Sequence, residues 1–384
     1  MEFHQSLAES PDLEEACDAV VSELRRRLGD ASLDLVVVFA SAAYGTALER
    51  LPVLLHERMA IGTLVGGTGA ELLHPDGMSR VPGLAVLGGR LPTGQVAATT
   101  VANADLPHAD APPAEWRALL PETTQPVRGM VVLGEPFDCD MRALLAGLDF
   151  ALPDAPKVGG LAAGSRHPHG NLLFCGRRAL HSGAVLLSLA GDITATAVVS
   201  QGCRPIGGPG RITRADRNRL VHVDDKPARR FVEEQLSSLP KPELAHVEGN
   251  PLFLGIASDP WATAAPGAGD FLVRNVLAID GEGRLVVGEN LPVGRTVQLH
   301  VRDGSNGLED LAFRLALGDA AAADAALMFR CVGREGADHR CFTAAAPDVP
   351  WIGCTCNGEI GPVGATTHMH GYTASCLLLR EGRS

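Results

Sequence analysis

Lysine is nearly missing from this chain: Lys157, Lys226 and Lys241 are the only three among 384 residues. The formal net charge is −12. The clustered positive charge that general nucleic-acid binding or docking on an anionic membrane requires is therefore not expected. Aromatic residues are also scarce, and Tyr44 and Tyr372 are the two tyrosines. A stacking platform for single-stranded nucleic acid needs more of them. No stretch reaches the roughly 18 uninterrupted apolar residues of a membrane span. The start, Met1-Glu2-Phe3-His4-Gln5-Ser6, lacks the basic and apolar regions of a signal peptide. Nine cysteines are an odd number scattered over a long chain, which argues against a disulfide framework. The expectation is a reduced, cytoplasmic protein with no nucleic-acid partner and no membrane partner.

What the chain has is length and punctuation. At 384 residues it is long for one ordinary domain, so two are expected. Ser10-Pro11-Asp12 opens a helix whose apolar positions Leu13, Ala16, Val20, Leu24 and Leu28 keep helical spacing up to Gly29. Leu35 to Phe39 is a continuous apolar run, suited to a strand covered on both faces. A helix over 46–59 and a strand from Ala60 complete a βαβ unit, so part of the sheet should be parallel. Further strands are predicted at 184–190 and 193–199, with Gly191-Asp192 as a two-residue hairpin turn between them. Pro240-Lys241-Pro242 reads as a boundary, and Met369 to Leu379 as one long strand.

A strand running into a glycine-rich end occurs three times, at Ile61–Gly69, Val158–Ser165 and Ile352–Gly361. This recurrence points to duplicated halves whose equivalent loops meet near a shared cleft. The fold class expected is α/β: two related domains with mixed β-sheets flanked by helices, one compatible arrangement being helix-sheet-sheet-helix layers. The boundaries predicted are an N-terminal helix over 1–32, one domain over 33–225 and a second over 226–379.

The motifs Gly159-Gly160-Leu161-Ala162-Ala163-Gly164, Ser200-Gln201-Gly202-Cys203-Arg204-Pro205-Ile206-Gly207 and Cys331-Val332-Gly333-Arg334 stand in that order. Asn357-Gly358-Glu359-Ile360-Gly361-Pro362 and His370-Gly371-Tyr372-Thr373-Ala374-Ser375 follow. Together, over Leu33 to Leu379, the ordered set resembles the FIST family, whose members pair a FIST N with a FIST C domain. The resemblance implies a ligand-sensing module in signal transduction that binds small molecules such as amino acids. No F-box-like or transducing segment is read in this chain, so a sensor role would need a separate signalling protein.

The candidate ligand site is Gly159, Gly160, Gln201, Gly202, Cys203, Cys331, Arg334, Asn357, Gly358, Glu359 and His370. An amino acid needs a partner for its anionic carboxylate and an acceptor for its ammonium. Arg334 offers a bidentate fork, the glycine loops offer N–H groups, and Glu359 offers a carboxylate. None of the glycine loops fits a phosphate-binding or dinucleotide fingerprint, and no cofactor is expected. Two alternatives compete. One is an enzyme with Cys331 or Cys203 as nucleophile and His370 or His368 as base. The other is a metal site from Cys354, Cys356, His368 and His370, since residues two apart on a strand share a face.

Overall fold

The run Leu35-Val36-Val37-Val38-Phe39 is apolar throughout and buried throughout in the computed structural model, which describes residues 1–167, 169–258 and 268–382. A strand alternates its side chains, so such a run must be covered on two sides. Leu35, Val37 and Phe39 enter a central core, while Val36 and Val38 meet helices. The same division recurs twice. Val131 and Leu133 point inward with Met130 and Val132 outward, and Leu327 and Phe329 inward with Ala326 and Met328 outward.

These three strands head three copies of one unit. The first comprises β1 (Glu2–Glu9), α1 (Leu13–Leu28), β2 (Leu33–Ser41), α2 (Leu51–Arg58) and β3 (Ile61–Gly69). A hairpin, β4 (Leu72–His74) and β5 (Gly77–Ser79), and a return strand β6 (Gly83–Arg90) complete it. The second comprises β7 (Gly94–Val101), α3 (Pro113–Arg117), β8 (Val127–Gly134), α4 (Met141–Ala151) and β9 (Lys157–Leu161). Its hairpin is β10 (Leu173–Cys175) and β11 (Arg178–Leu180), and its return strand is β12 (Ala184–Gly191).

The third opens with β13 (Ile193–Gln201) and is then interrupted by an insertion. The insertion holds β14 (Cys203–Asp216), β15 (Arg219–Val223), β16 (Lys226–Pro227), α5 (Ala228–Ser237) and α6 (Lys241–Glu248). It continues with β17 (Leu252–Ala257), β18 (Phe271–Ile279), β19 (Leu285–Val287) and β20 (Thr296–Arg302). The unit resumes with α7 (Gly304–Leu317), β21 (Ala325–Cys331), α8 (Asp338–Ala345) and β22 (Trp351–Cys356). The hairpin β23 (Glu359–Val363) and β24 (Thr366–His370) and the return strand β25 (Thr373–Glu381) close the chain.

In each unit the strand pair around the middle helix is parallel and the return strand is antiparallel, which makes the sheets mixed. The helices lie on the outer faces, so the α/β class with flanked mixed sheets is what the chain adopts. The hairpins are exchanged cyclically. The β4–β5 hairpin adds to β22, the β10–β11 hairpin to β3, and the β23–β24 hairpin to β9. The three glycine motifs thus recur as three equivalent strand ends. Gly66, Gly159 and Gly353 occupy the same position, opposite Val38, Val132 and Met328. A Cβ there would stand 1.9, 1.8 and 2.3 Å from those residues' carbonyl oxygens. Close backbone approach, not a turn, is what demands glycine.

The insertion is a barrel. Its strands run β14-β20-β17-β18-β19-β15, and β14 pairs back onto β15 to close it around Ile212, Leu220, Leu254, Val297 and Leu299. It begins and ends at one neck, where Asp303 N–H donates to Gly202 O at 3.0 Å.

Three local readings change. Glu2–Glu9, inside the segment 1–32 read as the N-terminal helix, is a strand on the edge of the first sheet, because it pairs along its whole length with β6. Gly191-Asp192 is not a hairpin turn: β12 pairs with β7 and β8, whereas β13 pairs with β25 in another sheet. Met369 to Leu379 is broken at Gly371-Tyr372, where Tyr372 takes φ 58°.

Candidate functional site

The residues singled out from the sequence form one contiguous patch where β21, β22 and β25 meet the exchanged hairpin. Gly160 pairs with Glu359 and Gly159 with Ile360. Glu359 pairs in turn with His370, and Gln201 with Thr373. Gly202 N–H donates to Tyr372 O at 2.8 Å. Asn357 N–H donates to Leu161 O at 3.1 Å, and its Nδ2 to Ala162 O at 3.2 Å. Gly358 O accepts from Leu161 N at 2.9 Å. Cys203 packs in an apolar contact with Phe253, Phe271 and Tyr372.

Most of the patch is packed interior. Arg334 is 5% exposed, and all five of its N–H positions are taken by protein acceptors. Nε donates to Asp338 Oδ1 at 2.9 Å, Nη1 to Ser200 O at 2.9 Å and Tyr372 O at 3.2 Å. Nη2 donates to Ser200 Oγ at 3.2 Å and Gly307 O at 2.9 Å. That leaves Arg334 no fork for a ligand carboxylate. Glu359 is wholly buried, and burial holds its carboxyl well above the usual carboxylate range, with the Cys331 thiol against it. Its Oε2 accepts from Thr373 N at 3.3 Å.

Neither candidate nucleophile is set up as a thiolate. Burial pushes Cys203 up to about 12. Burial, then the Glu359 charge, raises Cys331. His370 Nε2 is bonded to Gly361 O at 3.0 Å, and burial takes its pKa down to about 3. No histidine is hydrogen-bonded to either thiol among the described residues. The four metal-ligand candidates are also separated. Cys354 and Cys356 line the filled centre between the three glycine ends, with Sγ atoms 3.7 Å apart. His368 and His370 stand on β24 beside an open cavity. Among the described residues no three of His, Cys, Asp and Glu gather as metal ligands.

That open cavity, of about 610 Å³, lies between the barrel, α4 and β24. Its walls are Phe253, Ile256, Leu272 and Arg274 of β17 and β18, Gly288, Glu289, Asn290, Pro292 and Arg295 before β20, and Thr366 to Tyr372. His370 is the residue of the sequence-derived site that reaches it, and the Gly371-Tyr372 turn belongs to both places. The Tyr372 ring packs edge-on against Phe253 at 5.2 Å, with the Arg302 guanidinium 5.4 Å from its centroid. A bulky residue at positive φ is strained backbone. Its carbonyl is pinned by Gly202 and Arg334, which holds the turn in place.

The cavity's charged groups escaped the sequence reading. Arg274 is 12% exposed and meets Glu289 Oε2 at 3.2 Å, while Arg142 from α4 meets Glu289 Oε1 at 3.1 Å. Arg295 donates through Nη1 to Ala257 O at 2.9 Å and to Ser258 O. Burial lowers the pKa of Arg274 against the opposing pull of Glu289. Burial, assisted by the Arg274 charge, takes His368 down to about 4. The one trace in the sequence is Arg274-Asn275 set inside the apolar run 271–277, a charged and an amide side chain in a strand otherwise made for packing.

A FIST N domain matches residues 34–226 and a FIST C domain matches residues 229–362. An uncharacterized protein of Mycobacterium tuberculosis strain H37Rv is 35% identical over 261 residues, 65% of this chain and 67% of that protein. An uncharacterized protein of Mycobacterium bovis strain AF2122/97 is 35% identical over the same length, 65% of this chain and 66% of its own. Among solved structures, a cyanuric acid hydrolase from A. caulinodans aligns at TM-score 0.37 and 8% identity, covering 100% of this chain and 99% of its own. A chorismatase aligns at TM-score 0.32 and 11% identity, covering 98% of both chains. FIST domains are associated with signal transduction and ligand sensing. The chain belongs to the FIST family, with a FIST N domain followed by a FIST C domain.

Proposed function

We propose that the chain is a small-molecule-binding sensory protein and that its ligand enters the cavity between the barrel and β24. The observation that carries this reading is the shared turn. Gly371-Tyr372 forms one wall of the cavity, and its carbonyl is bonded to Arg334, which also holds Asp338 on α8 and Gly307 on α7. A ligand pressing on Tyr372 acts directly on a buried network that reaches two outer helices. A volume of about 610 Å³ suits a metabolite, amino acids included, and the wall sets apolar side chains beside charged and hydrogen-bonding ones. The output is read by a separate signalling protein, and a cytoplasmic location is part of the proposal. No helix among the described residues is long and apolar enough to cross a membrane.

The test is a thermal-shift screen of metabolites against the wild type and a Gly288→Trp variant. Gly288 lines the cavity, and a Cβ on it meets nothing within 4 Å, so the indole is admitted without a clash at its root. A ligand at about a hundred times its dissociation constant adds about 2.7 kcal/mol of stability. The wild type should respond to at least one compound and the variant to none of the same compounds. A response that survives Gly288→Trp places the ligand elsewhere, and no response at millimolar concentration ends the proposal.

A further inference from the structure

We propose that the ligand of this cavity is an organic anion with an apolar body and no cationic group, an inference that rests on the cavity being the ligand site. The charged residues lining it are Arg142, Arg274, Arg295 and Glu289, which leaves a net charge of +2 among the described residues. The whole chain carries −12, so this is a local reversal of sign. Three guanidinium groups lining one cavity repel one another, and Arg274 is largely removed from water as well. Such an arrangement is stabilised when an anion joins it, because a carboxylate or phosphonate meets guanidinium through paired, charge-assisted hydrogen bonds.

The same wall is unfavourable to an α-amino acid. Its carboxylate would be satisfied, but its ammonium needs an acceptor of opposite charge. Among the described residues Glu289 is the one carboxylate on the lining, and its single negative charge is already shared by the guanidinium groups of Arg274 and Arg142. The other polar groups, Ser258, Asn275, Asn290 and Thr366 among them, are neutral. His368 is neutral at physiological pH, since burial takes it down to about 4. An ammonium would therefore sit among three guanidinium groups with no free countercharge. The apolar share of the wall, with Phe253, Ile256, Leu272 and Met369, calls for a hydrocarbon or aromatic body on the anion.

Isothermal titration of the full chain with matched triplets tests the inference. The triplets are 4-methylpentanoate, leucine and 4-methylpentanamide; 3-phenylpropanoate, phenylalanine and 3-phenylpropanamide; and indole-3-propanoate, tryptophan and indole-3-propanamide. Benzylphosphonate separates a phosphonate preference from a carboxylate one. At least one acid should bind at least tenfold tighter than its amino-acid and amide counterparts, or benzylphosphonate at least tenfold tighter than phenylalanine and 3-phenylpropanamide. Arg274→Gln should weaken that binding at least tenfold. Arg142→Gln, on a side chain 61% exposed and so safe for folding, should weaken it severalfold. An amino acid or amide binding as tightly as its acid, or failure of every anion at 10 mM, overturns the inference. A neutral or cationic compound whose binding is lost in Gly288→Trp would overturn it while leaving the cavity as the ligand site. Absence of any compound sensitive to Gly288→Trp would remove the cavity reading itself.

Discussion

Gly66, Gly159 and Gly353 show how single residues set this architecture, because each lets a parallel neighbour strand come closer than any side chain allows. At Gly159 the added methyl would stand 1.8 Å from Val132 O, a backbone atom that cannot swing aside. Gly159→Ala should therefore cost about 3 kcal/mol in urea denaturation. Gly281→Ala, where nothing lies within 4 Å, should stay within about 0.5 kcal/mol of wild type. Equal stability of the two variants would contradict the close approach. Glu359 supplies a second prediction. Burial holds its carboxyl well above the ordinary carboxylate value of 4.5, so the native state keeps a proton that the unfolded chain releases. Its contribution is then fully present below pH 4.5 and is lost as pH rises, by up to about 1.4 kcal/mol per pH unit below the folded pKa. Glu359→Gln removes that loss, so the variant should gain stability relative to wild type as pH rises above 4.5. His300, His368 and His370, with pKa values lowered to about 4, 4 and 3 by burial, destabilise both proteins as pH falls below 6.5. That opposite slope cancels in the comparison. A constant difference across the range would show Glu359 ionised in the fold.

The exchanged hairpins are the corresponding device at the level of elements. The β23–β24 hairpin follows β22 in sequence but adds to β9, and α4 holds it there. Asp149 accepts from Thr367 N at 2.6 Å and Thr367 Oγ1 at 2.7 Å, and pairs with Lys157 Nζ at 2.9 Å. Lys157 is 1% exposed, so Asp149→Ala leaves a buried ammonium without its countercharge, at a cost of about 3–5 kcal/mol. The same change should speed hydrogen exchange in 366–370, the cavity wall, more than in β8. Uniform exchange would mean that the hairpin is held by other contacts. Strand-to-glycine ends at 61–69, 158–165 and 352–361 were legible in the sequence because apolar runs and glycine are local signals. The cyclic exchange was not, since nothing inside Leu72–His74 names β22 as its partner. For the same reason β12 and β13 read as a hairpin: the turn chemistry of Gly191-Asp192 is local, and the separation of the strands into two sheets is not. Arg334 carried the right chemistry for a carboxylate, but the carbonyls of Ser200, Gly307 and Tyr372 reach it from 134, 27 and 38 residues away. Arg274 and Arg295 were hidden among barrel strands read for their apolar content.

Across the whole molecule, the exchange makes the three units interdependent and leaves the barrel comparatively separate. Each unit's sheet is completed by a hairpin from the unit before or after it, and all three contribute to one central core. A ring of backbone bonds ties them again, from Ala70 N to Thr355 O, Asn357 N to Leu161 O and Ala163 N to Thr68 O, at 3.3, 3.1 and 2.9 Å. No unit can open without stripping a strand from a neighbour, so the three should unfold together. The barrel has its own core and joins unit three at the Gly202–Asp303 neck. Its strands can open while the units stay closed. In native-state hydrogen exchange, peptides from β2, β8 and β21 should share one slow, global rate, and those from β17 and β18 should exchange at least tenfold faster. A ligand in the cavity touches β17 and β18 on one side and β24 on the other. Binding should therefore bring barrel exchange toward the global rate, since opening the barrel would release the ligand. One unit exchanging independently of the other two would contradict the interdependence. A ligand that slowed β24 but left β17 and β18 untouched would show that it does not bridge the barrel to the units, and the coupling proposed through Tyr372 would lose its lever.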